Sequence, residues 1–151
     1  MITEDYVRSE TAKLLKEKGF KEWCRYCYGL DVRHNGEPID VDVAYKLRDA
    51  GSENEIEYVD GGRMYDRGCS NLNPGSPYAA PTLQKAMKWL RDEKGIAIIP
   101  IIYSILDHEK FLWDIKIVVA KTNETFSQGW VYENPESGYD RAIRYCLENL
   151  I

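Results

Sequence analysis

Two cysteines three positions apart, in Cys24-Arg25-Tyr26-Cys27, are the residues of this chain whose spacing comes nearest to a chemical motif. A C-x-x-C pair is half of a tetrahedral zinc site, or the reactive end of a dithiol oxidoreductase. Zinc needs two further ligands, and the sequence offers only His34, Cys69 and His108, scattered and unpaired. The redox reading wants the first cysteine at a helix N-terminus, where the dipole lowers the thiol pKa. Trp23 to Tyr28 is instead aromatic-rich and strand-like. On an extended strand the two sulfurs leave from opposite faces, which suits neither a zinc knuckle nor a disulfide. The pair reads as two small apolar side chains, with a zinc-binding module or small enzyme on Cys24 and Cys27 as an alternative.

The other candidates are weaker. Cys146 falls on the inner stripe of a C-terminal helix, where a cysteine behaves as a small hydrophobe. Asp107-His108-Glu109 has acid–base and metal-binding types, yet sits where a hairpin must turn and such residues favour the bend. Asp40 and Asp42 share the wet side of an alternating segment. Asp60-Gly61-Gly62 lacks the Lys-Ser/Thr and helix start of a phosphate loop. No catalytic residue, metal ligand or cofactor is indicated. The stretch best suited to recognition is Tyr58 to Tyr78, where Tyr58, Arg63, Tyr65, Arg67 and Tyr78 combine with glycines and a Pro-rich exit. Tyrosine and arginine dominate binding surfaces, although aromatic residues also pack long loops against sheets. These five are the candidate partner-binding residues.

Positioning them falls to one α+β domain covering residues 1–151, a length that buries about two-thirds of the unfolded surface. Hydrophobic residues make up 44% and charged ones 30%, a globular balance. No apolar run approaches the roughly 18 residues that span a bilayer, and Met1 to Asp5 has neither a basic nor an apolar leader region. A cytoplasmic protein with no membrane partner is expected, its four cysteines held as thiols. Residues 37–81 hold 4 Lys/Arg against 9 Asp/Glu, which accounts for the whole chain's net charge of -5. A phosphate backbone wants the opposite sign over a broad face, so direct nucleic-acid binding is disfavoured.

The organising element is a helix from Pro81 or Thr82 to Gly95, with Leu83, Ala86, Met87 and Leu90 as its apolar stripe. The most apolar run of the chain, Ile96 to Ile105, follows it and is expected to form core with it. Pro100 places that strand at an edge or a bulge. Asp107 to Lys110 turns the chain into a return strand with Phe111, Trp113, Ile115, Ile117 and Val119 on one face, and a third strand follows over Thr125 to Tyr132. Thr3 to Lys18 predicts a first helix ended by Gly19, with Phe20 folding back on Leu15 and Thr3, Asp5 or Ser9 as its cap. Ser137, with Asp140 three residues on, reads as the capping box of a last helix through Ala142, Ile143, Cys146, Leu147 and Leu150. Between the first two helices, Ile39 to Leu47 alternates as a strand, and Glu55 to Val59 with Arg63 to Tyr65 forms a hairpin. Residues 48–81 are expected to be acidic and loop-rich, with Gly68 to Pro81 a connection rather than an element. The order is helix, strands, helix, strands, helix, with antiparallel sheet and about three helices.

Three segments, Ile2 to Phe20, Ala80 to Arg91 and Ala142 to Ile151, together resemble a family of small proteins from phages and mobile elements of anaerobic gut bacteria. The resemblance covers about half the chain and implies a cytoplasmic accessory protein of a mobile element. It carries no activity and no functional residues with it. Taken with the residues, it favours a non-enzymatic protein that binds a host or element-encoded protein. The alternative is an acidic nucleic-acid mimic that inhibits a DNA- or RNA-binding protein of the host. Oligomeric state is open, with pairing through the Pro100 edge less favoured than through a helix face.

Overall fold

The computed structural model describes residues 5–28, 56–59, 62–71, 78–106, 108–127, 129 and 131–151, and only the backbone at 56–59, 62–67, 69 and 106. The elements are α1 (Ser9–Glu17), β1 (Cys24–Tyr28), β2 (Ile56–Val59), β3 (Gly62–Cys69), β4 (Tyr78–Ala80), α2 (Leu83–Lys94), β5 (Ile96–Leu106), β6 (Lys110–Val119), β7 (Glu124–Ser127) and α3 (Glu136–Asn149). This is the expected α+β arrangement in the expected order. Its antiparallel strands form two sheets, one in each of two compact units, Met1–Pro81 and Thr82–Ile151.

In the first unit the strand order is β2-β3-β1-β4, every pair antiparallel. Helix α1 packs on β4 and starts later than expected. Its N-cap position is Arg8, with no side-chain cap. Asp5 and Ser9 do not take that role, and Thr3 lies outside the described residues. The cause is upstream. The Val7 N–H donates to the Pro81 carbonyl at 3.1 Å, and the Tyr28 hydroxyl donates to the Val7 carbonyl, so the chain is still tied to its neighbours here. The stop is as expected. Gly19 takes φ 98°, the Phe20 N–H reaches the Leu15 carbonyl, and the Gly19 N–H reaches that of Lys16, a complete Schellman pair. Phe20, Leu15, Thr11 and Ala12 are buried with Tyr28, Cys27 and Ala79. Asn71, 6% exposed, ties this core together by donating to the Phe20 carbonyl and accepting from the Ala79 N–H.

The β2–β3 hairpin forms, but β3 runs on through Cys69, and Tyr78–Ala80 is a strand. Three strands therefore occupy the stretch expected to be loop-rich. Gly68 and Tyr78 to Ala80 were hard to read as strand because glycine and three small or aromatic residues carry little alternation. The alternating segment Ile39 to Leu47 lies outside the described residues.

In the second unit the sheet order is β5-β6-β7. Helix α2 packs on β5, and α3 packs on β5, β6 and α2. The α2 ends are those expected: the Thr82 hydroxyl accepts from the Lys85 N–H at 3.1 Å, and Gly95 closes the helix at φ 66°. Its buried stripe is Leu83, Ala86, Trp89 and Leu90, so Trp89 takes the place expected of Met87, which is half-buried. Helix α3 begins two residues earlier than a Ser137 cap would allow. Asn134 is the capping side chain, accepting from both the N–H and the hydroxyl of Ser137, at 3.0 and 2.7 Å. Ser137 lies inside the helix and Asp140 is buried. The third strand ends at Ser127, and among the described residues beyond it a single bridge at Tyr132 rejoins the sheet, opposite Trp113. Between them Gly129 sits at φ 71°, off the strand path.

Candidate functional site

Residues paired directly across an antiparallel ladder put their side chains on the same face. Ile96, Ile98, Pro100 and Ile102 of β5 stand opposite Val119, Ile117, Ile115 and Trp113 of β6, and Ile105 stands opposite Phe111. One apolar strip thus runs the length of the hairpin. Ile96, Ile115 and Ile117 are buried at one end of it. At the other end Ile102 is 49%, Ile105 62% and Phe111 46% exposed. The expectation that Ile96 to Ile105 is core therefore holds only at its start.

Length explains the split. Helix α2 has 12 residues and spans about 18 Å at 1.5 Å per residue. Strand β5 has 11 residues and spans about 36 Å at 3.3 Å per residue. A sheet of this length outruns any helix of that length laid on it, and α3, with 14 residues, reaches only about 21 Å. The far half of the strip has no cover among the described residues. Phe111 and Trp113 meet edge-on there, ring centroids 6.1 Å apart. Tyr103 adds to the surface at 64% exposure, because the β5–β6 register shifts between Ile102 and Ser104 and gives it no partner in β6. The turn beyond, with exposed His108, Glu109 and Lys110, supplies a polar rim. His108 holds φ 58°, a conformation that suits a turn and explains its place better than acid–base work does.

Among the described residues no strand pairs with the outer edge of β5. The Trp113 N–H and carbonyl both bond to Tyr132, at 2.7 and 2.8 Å, so they point away from β5. By antiparallel alternation the backbone groups of Ile98, Pro100 and Ile102 point out of the sheet. Pro100 is thus at an edge, as expected, in a position where its missing N–H costs the ladder nothing.

The five residues expected to bind a partner lie on β2, β3 and β4 of the other sheet. Tyr58 stands opposite Arg63 in the β2–β3 hairpin, and Tyr65 stands between Ile56 of β2 and Cys27 of β1. Arg67 falls at the irregularity where β3 carries one residue more than β1, between the Cys24–Cys69 and Tyr26–Asp66 pairs. Tyr78 lies on β4, opposite Tyr28 and separated from β3 by β1. Register places Tyr58, Arg63 and Tyr65 on one face of the sheet and Tyr78 on the other. The Tyr78 ring packs under the Lys16 ammonium, 5.4 Å from its centroid, which is a packing role.

Cys24, Cys27 and Cys146 are buried free thiols, and Cys24 stands opposite Cys69 in the ladder. Burial pushes the Cys146 thiol up to about 12, so it stays protonated at neutral pH. His34 lies outside the described residues. Among the described residues no three His, Cys, Asp or Glu side chains are grouped as metal ligands would be, and no helix is long and apolar enough to cross a membrane.

The sequence signals the exposed hairpin end only as an apolar run that, once extended, outreaches the helix before it. Compared with protein-family models, curated proteins and solved structures, the chain matches none.

Proposed function

We propose that this chain acts by binding another protein, through the uncovered end of the β5–β6 hairpin. One observation carries the reading: Ile102, Tyr103, Ile105 and Phe111 lie together, exposed, at the end of a strip whose other half is core. Scattered exposed hydrophobes are ordinary on a protein surface, whereas a contiguous set rimmed by polar residues marks an interaction site. Aromatic and aliphatic anchors of this kind supply most of the energy of protein interfaces. The resemblance to small mobile-element proteins supports an accessory role, with a host or element-encoded protein as the partner.

The test is capture from a lysate of the host cell, with and without nuclease, by the wild-type chain and by Ile105→Asp. The reading expects a protein recovered by the wild type in both arms and lost from the variant. The same protein recovered equally by the variant would contradict it.

A further inference from the structure

The opposite edge of the second sheet carries a different kind of surface. Between β7 and α3 lies a trough of about 580 Å³, within the range of ligand sites. One wall is the helix face formed by Arg141, Arg144, Tyr145 and Glu148, at spacings of three, four and seven residues. The other wall is β7 itself. Ile117 stands opposite Phe126, and Val118 opposite Thr125. Because Trp113 turns its backbone groups toward the β7 side, Ile117 does so too, and Phe126 spends its own on the ladder. The backbone groups of Thr125 and Ser127 then point outward, and no strand among the described residues pairs with them. The Phe126 and Tyr145 rings bridge strand and helix, centroids 6.4 Å apart.

We infer that this trough binds an extended acidic segment of a partner protein, added to β7 as a further strand. Shape, length and charge point to that occupant. An edge strand beside a helix offers a row of donors and acceptors at strand spacing, which an extended chain satisfies and a compact anion does not. The helix face from Arg141 to Glu148 is about 10 Å long, the span of three residues of strand. Arg141 and Arg144 give the trough two cations against the one carboxylate of Glu148, and a five-donor guanidinium fork can serve more than one acceptor. Glu148, one turn past Arg144, repels acidic side chains from that end and so sets the guest's register. This surface is separate from the hairpin, and either binding reading can fail without the other.

Fluorescence anisotropy of the full chain with a fluorescein-labelled peptide of alternating glutamate and valine tests it. Binding is expected to weaken by about tenfold or more in Arg141→Gln/Arg144→Gln, and likewise at high salt. The same peptide with lysine for glutamate, or with alternate backbone nitrogens methylated, is expected not to bind. Thr125→Pro, which removes an outward N–H at an edge where proline is tolerated, is expected to lose binding while both arginines remain. No binding up to about 1 mM peptide would overturn the inference. So would equal affinity for the methylated or lysine peptide, or full displacement by inorganic phosphate at the peptide's own concentration.

Discussion

The two ends of the β5–β6 strip are built from the same residue types and meet opposite fates. Ile115 and Ile117, on the strand that α3 covers, are fully buried, whereas Ile105 and Phe111, on the same face of the same hairpin, stand about half in water. Both ends are apolar, and the bulge at Tyr103 still leaves Ile105 and Phe111 on the face of the strip. What differs is the reach of the helices, about 18 and 21 Å against a strand of about 36 Å. A local pattern can state that a face is apolar. Only the lengths of the packed elements decide how much of it becomes core.

Stability should separate the two ends most sharply. Ile117→Ala is expected to cost about 2–5 kcal/mol, because it opens a cavity in the core beneath α3, and Ile105→Ala less than about 0.5 kcal/mol. Urea denaturation midpoints measure both, and equal costs would erase the distinction between the ends. Gly138→Ala probes how closely α3 covers the sheet. A Cβ there would sit 2.7 Å from the Tyr132 ring and 2.8 Å from Ile115, so the substitution should destabilise by about 1–3 kcal/mol. At an unconstrained helix position the same change would stabilise by about 1 kcal/mol, so the sign of the shift settles the matter.

Smaller effects test how the covering helix is held and sealed. Asn134→Ala should cost about 1 kcal/mol and Ser137→Ala less, since Asn134 supplies the oxygen that caps α3. The reverse ranking would restore Ser137 as the cap. Cys146, on the buried face of α3, keeps its proton in the fold up to about 12 against an ordinary value of 9.0. Between those values the unfolded chain loses a proton that the native state retains, so stability falls as pH rises through that window. Thermal melts should therefore show a steeper alkaline decline for the wild type than for Cys146→Ala, with little difference in slope below pH 9.

The helix signals were legible because they are local. Thr82 and Gly95 mark the ends of α2, and Gly19 with Phe20 marks the stop of α1, by hydrogen bonds that close within a few residues. The α1 start was misread because a distant carbonyl, that of Pro81, holds Val7 in place. The α3 cap was misread because Asn134 and Ser137 are both good capping types three residues apart, and the sequence alone does not rank them. Which residues share a surface is non-local in the same way. Of the tyrosines and arginines from Tyr58 to Tyr78, register puts Tyr58, Arg63 and Tyr65 on one face and Tyr78 on the other, just as a register that only pairing establishes joins Ile105 and Phe111.

Site-specific photo-crosslinking in the host cell reaches the central claim most directly, with a benzophenone side chain placed at Tyr103 on the uncovered end and, as control, at Glu93 on the exposed side of α2. The account predicts one discrete crosslinked protein from position 103 and none from position 93. Crosslinks of equal yield at both positions, or at position 93 alone, would contradict it.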